Sequence, residues 1–346
     1  MALSLGLLIF SFIITSILII PFINLLYRLK FTRRHEAPKN KKKIPFFDKM
    51  HDWKAGTPVG GGLLIISVVS LLFVVLFPAF SLLGIPISSA YPLVDEVRII
   101  FLTFIGFGLL GFYDDLMKFF GKPKAGQMGN IFGIGRRWKF AAQWIIALAI
   151  GFLMWNNLKI DIVHIPIMEN LFHLGWWYVP FAAFVMVAFT NAVNITDGLD
   201  GLAGGLLLIC LFALWIIAGT VFDTPLSIFI ALWIGALFAF LYFNIWPARI
   251  FMGDTGALAF GATLAVIGLL TGKIFAVAVI SGIFIAEAFS SFIQIGARKF
   301  LGHPVLPIAP FHLLLQAIKW EEPKIVMRAW LAGALLAIFG LWLALI

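Results

Sequence analysis

Apolar residues in this chain come in long unbroken runs, not in the alternation of a half-buried strand or the one-sided stripe of a soluble helix. Segments of about 20 mainly apolar residues, long enough to cross a hydrocarbon core of roughly 30 Å, recur ten times. They are centred near residues 15, 70, 106, 147, 184, 209, 235, 263, 284 and 336. The first, MALSLGLLIFSFIITSILIIPFINLLYRLK, is too long for a signal-peptide core and carries its positive charges on the far side, so it reads as a retained span. The pattern predicts an all-α integral membrane protein of ten transmembrane helices, forming one polytopic domain over residues 1–346.

Basic residues orient this array. The first connection holds Arg28, Lys30, Arg33, Arg34, Lys39, Lys41, Lys42, Lys43, Lys49 and Lys54, which marks it as cytoplasmic. Both termini are then expected outside, and only Arg98, Lys159 and Lys273 fall in outer connections. Composition agrees: 12% of residues are charged, against roughly 25% in soluble domains, and 62% are hydrophobic. The net charge of +9 is explained by topology and anionic headgroups and gives no support for nucleic-acid binding. Cys210 is the lone cysteine, so no intramolecular disulfide can form, and it reads as a packing residue. No internal repeat or low-complexity tract stands out.

With this orientation, five polar motifs reach the cytoplasmic face, where the active site is expected. HDWKAGTPVGGG (51–62) enters the second span and GFYDDLMK (111–118) ends the third. NAVNITDGLDGLAG (191–204) joins the fifth and sixth, FNIWPARIFMGDTG (243–256) the seventh and eighth, and LPIAPFHLLLQAIKWEEPK (306–324) the ninth and tenth. A carboxylate in hydrocarbon costs several kcal/mol unless paired, hydrated or metal-bound. Asp114 and Lys118 could be an ordinary i,i+4 pair, although carboxylates at a helix C-terminus are opposed by the macrodipole. Asn194, Asp197 and Asp200 are spaced three apart and so share a helical face, while Gly198 and Gly201 permit close approach. Asp254 alone could be a helix N-cap. Carboxylates Asp114, Asp115, Asp197, Asp200 and Asp254 crowded on one face call for a cation, and oxygen-ligated Mg²⁺ is the economical candidate. Lys54, Lys118, Lys122, Lys124, Arg136, Arg137 and Lys139 occupy the same region, and cations, metal and carboxylates together describe phosphoryl chemistry. There is no Walker-type loop, no GxGxxG after a strand and no HExxH. The sequon at Asn194 is discounted because its loop is cytoplasmic. His312 reads as a cap, packing or site residue, and Glu287, deep in an apolar run, as the partner of a polar neighbour such as Gln294 or as a direct participant.

NAVNITDGLDGLAGG, GFYDDLMK, FNIWPARIFMGDTGALAFG, KAGTPVGGG and KWEEPK, in this order, resemble the bacterial phospho-N-acetylmuramoyl-pentapeptide transferases (the MraY family), within the polyprenyl-phosphate N-acetylhexosamine-1-phosphate transferases. The resemblance runs from about residue 51 to the end. It implies transfer of a phospho-sugar from UDP-N-acetylmuramoyl-pentapeptide to undecaprenyl phosphate in the bacterial inner membrane, giving lipid I and UMP for peptidoglycan synthesis. Asp254 would ligate Mg²⁺. Asp114 and Asp115 would act at the lipid phosphate, and His312 would join them in the catalytic set. Substrates would be held by Lys54, Thr57, Lys118, Lys139, Asn191, Asn194, Asp197, Gly198, Leu199, Asp200, Asn244 and Phe251, with Phe251 a stacking face for uracil. A homodimer stays open.

One departure stands out. The family usually reads APxHHHFE where this chain reads APFHLLLQ, so Leu313, Leu314 and Gln316 replace two histidines and a glutamate. Either the segment still folds over the donor, or its leucines anchor it in the membrane interface with His312 as a cap. A related transferase using another sugar, such as N-acetylglucosamine-1-phosphate, is the alternative; an ion-coupled transporter is remote, because the acids cluster at helix ends and not at the midplane.

Overall fold

The computed structural model describes residues 2–33, 54–82, 86–120, 133, 135–166 and 171–346. Arg34, Lys39, Lys41, Lys42, Lys43, Lys49, Lys122 and Lys124 lie outside the described residues. Long helices form wherever the apolar runs lie: α1 (Ala2–Arg28), α2 (Gly61–Leu82), α3 (Leu93–Phe120), α4 (Arg136–Asn157), α5 (Tyr178–Thr196), α6 (Leu202–Thr220), α7 (Thr224–Asn244) and α8 (Gly253–Leu270). After them come α9 (Ile274–Ile280), α10 (Gly282–Phe300), the two-turn α11 (Phe311–Ala317) and α12 (Glu322–Leu345). A two-stranded antiparallel hairpin, β1 (Ile162–His164) with β2 (Leu171–His173), sits between α4 and α5, an element that an all-helical reading did not include.

Each of the ten expected centres falls in a helix. Among the described residues, eight helices are long and apolar enough to cross a membrane, or nine if α9 and α10 form one span bent by 80°. The ninth expected span is therefore broken, at Ser281. The expected third span is α3, 28 residues long and so about 42 Å at 1.5 Å per residue. It is not among the eight; its apolar middle lies between Asp95, Glu96 and Arg98 at one end and Asp114, Asp115 and Lys118 at the other.

The centre of the bundle is α8, buried along almost its whole length and packed against α2, α3 and α5. Apolar side chains gain little by leaving lipid for protein, so helices in a membrane associate through close backbone packing, which small residues permit. A Cβ added at Gly111 of α3 would lie 2.2 Å from the Asp254 carbonyl oxygen, one at Gly62 of α2 2.2 Å from the Gly256 nitrogen, and one at Gly261 2.5 Å from the Phe189 carbonyl oxygen. Farther along, Phe104, Phe229, Trp233 and Phe260 pack ring on ring with centroids 5.1 to 5.8 Å apart. Helix α1 lies along α7, where Ser11 Oγ donates to the Leu232 carbonyl at 2.7 Å.

These contacts hold the ends of α3 and α8 together, and with them the acids those ends carry. Gly111→Ala should therefore lower stability by about 1–3 kcal/mol, the usual penalty of overpacking, and should depress turnover by displacing Asp114. Gly106→Ala on the same helix meets only Ile146 Cγ2 at 3.7 Å and should melt like the parent protein. Equal melting temperatures for the two variants in detergent would show that the α3–α8 approach is not tight.

Candidate active site

Three helix ends meet around the paired aspartates. Asp114 and Asp115 close the last turns of α3, Asp254 opens α8, and Lys139 lies in the first turn of α4. Asp115 is buried and accepts three hydrogen bonds: from the Asp254 N–H at 3.1 Å, the Thr255 N–H at 3.0 Å and Thr255 Oγ1 at 2.8 Å. It thus satisfies the otherwise orphaned donors that begin α8 and places a negative charge at the positive end of that helix's dipole. Gly253 makes the approach available: its φ of +78° suits glycine, and a Cβ there would stand 2.8 Å from Asp115 Oδ2. The N-cap role that Asp254 could have filled belongs to Asp115, which frees the Asp254 side chain.

That side chain joins a ring of alternating charge. Lys118 Nζ lies 3.1 Å from Asp114 Oδ2 and 2.8 Å from Asp254 Oδ1; Lys139 Nζ lies 3.0 Å from Asp114 Oδ2 and also contacts Asp254 Oδ2. Two carboxylates face two ammonium groups, with both lysine side chains partly open. Gly133 covers Asp114, since a Cβ there would be 2.8 Å from its Oδ1.

A second ionic group is sealed. Lys54 Nζ, only 1% exposed, lies 2.6 Å from Asp200 Oδ1 and 2.5 Å from Glu322 Oε1. Glu322 Oε1 also accepts the Asp200 N–H at 2.6 Å, and Asp200 Oδ2 accepts the Ala248 N–H at 2.9 Å. The triad therefore ties together the entry to α2, the loop between α5 and α6, the loop between α7 and α8, and the start of α12. Sequence reasoning assigned Lys54 and Asp200 to substrate but gave Glu322 no role. Its signal was the KWEEPK motif; its partner, 268 residues away, could not be read from the sequence.

Between these groups lies the loop after α5. The Asp197 backbone N–H closes α5 on the Val193 carbonyl at 3.1 Å, but its carboxylate has no hydrogen-bond or ion-pair partner among the described residues. Asp197 keeps part of its surface accessible but is ringed by protein. Burial first, then the like charges of Asp254, Asp115 and Asp200, push its carboxyl up to about 7, with Lys54 opposing. Asn194, also half-buried, likewise has no partner among the described residues, whereas Asn191 donates to Gln143 Oε1 on α4 at 2.8 Å. Leu199 is buried, and Gly198 lies against His312: a Cβ there would sit 2.5 Å from His312 Nε2. On its other side His312 meets Glu287, whose carboxylate is 3.0 Å from Nδ1 and accepts the His312 N–H at 3.1 Å. The expected pairing of Glu287 with Gln294 is not found. Gln294 instead exchanges two hydrogen bonds with the Leu306 backbone.

The remaining expected residues build the walls. Asn244 is buried and donates to the Ile250 carbonyl. Phe251 pairs by its backbone with the Pro58–Gly61 segment that follows Thr57, and Arg33 lies over its ring at 5.8 Å from the centroid, on a face expected to stack a base. Among the described residues no three His, Cys, Asp or Glu side chains converge to form a ready-made metal cage. The donor set still suits Mg²⁺, which commonly takes one or two carboxylates and completes its shell with substrate phosphates and water; Asp114 and Asp254 supply two hard oxygen donors.

Residues 97–272 match the model of glycosyl transferase family 4. The chain is 36% identical to the phospho-N-acetylmuramoyl-pentapeptide-transferase of Geobacillus thermodenitrificans over 335 residues, covering 96% of this chain and 95% of the relative. It is also 36% identical to that of Clostridium perfringens, over 91% and 90% of the two chains, and 35% identical to that of Halalkalibacterium halodurans, over 97% and 96%. The chain belongs to the phospho-N-acetylmuramoyl-pentapeptide transferases. Membership in this transferase family makes the protein a phosphosugar transferase of the membrane.

Removing one member of a sealed ionic group strands the others. Lys54→Met should cost about 3–5 kcal/mol, since it leaves Asp200 and Glu322 buried without a counter-charge. Lys118→Met, whose side chain is 28% exposed, should cost less, because water can reach the acids it leaves. Thermal unfolding in one detergent checks the order; a Lys54→Met protein as stable as the parent would show that the triad does not brace these loops.

Proposed function

We propose that the protein transfers phospho-N-acetylmuramoyl-pentapeptide from its UDP donor to undecaprenyl phosphate, releasing UMP and forming lipid I. The observation that carries this reading is the ring of Asp114, Lys118, Lys139 and Asp254 at three helix ends, in a chain whose relatives bear that activity in their name. A lipid acceptor and a soluble nucleotide donor must meet at a membrane surface, and helix ends are where a membrane protein can hold both.

Lys118 and Lys139 hold phosphate oxygens and offset their charge as they approach each other. The acceptor monoester has a second pKa near 6, so it arrives largely as a dianion and no strong base is needed to make it a nucleophile. Its oxygen attacks the sugar-bearing phosphorus; the P–O bond to UMP breaks, and the departing oxygen keeps the electron pair. Asp115, engaged at the start of α8, positions the site, so of the pair it is Asp114 that faces the reacting phosphates. Asp254, with Asp114 beside it, would hold Mg²⁺, which when bound neutralises phosphate charge. Asn191, Asn194, Asp197, Gly198, Leu199, Asp200, Asn244, Phe251, Thr57 and Lys54 would surround the nucleotide, the last two mainly by fixing its walls. For the membrane, ten spans are proposed, with α3 as the third, both termini outside, and the ring on the cytoplasmic side of a bacterial inner membrane.

Three experiments test this reading. UMP release should be measured with undecaprenyl phosphate, Mg²⁺ and a panel of UDP-sugars; preference for UDP-N-acetylglucosamine over the muramoyl-pentapeptide donor would move the chain to the alternative transferase. Asp254→Asn should remove nearly all turnover, on the order of 3 kcal/mol or more of transition-state stabilisation, and should fold normally because Asp115 still caps α8. Near-native turnover in that variant would exclude Asp254 as a metal ligand. In a Cys210→Ala background, a cysteine at Asn156 should react with impermeant thiol reagents only from outside the cell and one at His303 only from inside. Reversed labelling would turn the proposed topology over.

A further inference from the structure

Glu287 is an acid within the apolar first turns of α10, GIFIAEAF, and it is 3% exposed. Such a group needs a strong reason to be there. Among the described residues its carboxylate contacts one residue: its two oxygens lie 3.1 and 3.2 Å from the His312 backbone nitrogen, and Oε2 lies 3.0 Å from His312 Nδ1. It thus grips both the backbone and the ring of His312, itself 2% exposed.

The grip has a direction. A carboxylate can only accept, so Nδ1 must carry the hydrogen it donates. That leaves Nε2 at the far corner of the ring, against Gly198, where a Cβ would come within 2.5 Å of it. Gly198 stands next to Asp197 in the loop bordering the charged ring. No second imidazole shares the task on α11, because positions 313 and 314 are leucines. Rotation of the ring, or a swap of its hydrogen to the other nitrogen, would present the wrong atom.

We infer that Glu287 is the positioning residue for His312: it fixes the imidazole's tautomer and ring angle so that Nε2 faces the bound UDP-sugar donor across Gly198. This rests on the proposed function, which puts the donor beside that loop. Glu287 itself touches no substrate; it acts through His312. Helix α10, which leaves α9 at a bend of 80°, packs against α11.

A double-mutant cycle on the full-length protein in detergent tests the inference, reading UMP release with UDP-N-acetylmuramoyl-pentapeptide and undecaprenyl phosphate varied in turn. Glu287→Gln preserves shape, but its amide can donate as well as accept, so it should raise KM for the UDP donor about tenfold or lower kcat/KM for it to that extent, and leave KM for undecaprenyl phosphate within about twofold. His312→Ala should lose at least as much, and Glu287→Gln with His312→Ala no more than His312→Ala alone, because the glutamate acts only through the histidine. Losses that multiply, or KM values that rise alike for both substrates, would overturn the inference and mark Glu287 as a general structural residue. Should Glu287→Gln not fold, Glu287→Asp keeps the charge and draws it back by one methylene; its effect must likewise vanish in the His312→Ala background. If the wild-type protein turns over a different UDP-sugar, the function proposed above fails, and the same cycle run with that donor still decides the role of Glu287.

Discussion

Every buried charge at the end of this helical bundle must find an opposite charge or a row of N–H donors, and that requirement organises the site. Water cannot screen groups packed among apolar helices, so an unmatched carboxylate there would cost several kcal/mol. The structure meets the requirement in three ways. Asp115 takes the donors at the start of α8, Lys54 is shared between Asp200 and Glu322, and Asp114 and Asp254 share Lys118 and Lys139. Only the last group keeps part of its surface open, and that separates the sealed charges from those that solvent can reach. Asp197, whose carboxylate has no partner among the described residues, meets the requirement differently: burial and the neighbouring acids push its carboxyl up to about 7, toward the uncharged form.

Placing these groups within hydrogen-bond reach is the work of glycine. Gly111, Gly62 and Gly261 let α3, α2 and α5 approach α8 at distances no Cβ could tolerate, and Gly253 takes a positive φ so that Asp115 can reach the first N–H groups of α8. A shift of the size one methyl group would force is comparable to the difference between a hydrogen bond and none. Close helix packing, a stability device in most membrane proteins, here also sets the geometry of the charged ring.

Much of this was legible in the chain. Each of the ten apolar runs coincides with a helix, and eight or nine of these are long and apolar enough to cross a membrane, because a membrane core imposes length and apolarity that local sequence can show. The polar motifs at 111–118, 191–204 and 243–256 announced a shared face. Pairings were another matter. Asp115 caps a helix 139 residues onward, Lys54 meets Glu322 across 268, and Glu287 takes His312 in place of Gln294, which shares its helix. Spacing reports neighbours on one helix, whereas these partners are set by how separate helices cross. The break at Ser281 was likewise hidden, since no proline marks it, and the hairpin strands of three residues each are too short to show a period.

The segment that departs from the family pattern shows how such a site can change and remain coherent. Two outcomes were open for Leu313 and Leu314: contact with lipid, or packing within the protein. Leu313 is 7% exposed and turned inward beside His312, so this leucine does not anchor α11 in the membrane. Losing two imidazoles removes hydrogen-bonding capacity, and leucine at a buried position returns apolar packing in its place. What capacity remains on α11 is concentrated in His312 and Gln316. A single histidine must then be held at one angle, because no neighbour can substitute if it turns. The buried acid against it is the kind of support such a residue needs, since Glu287 meets both the backbone N–H and the ring of His312.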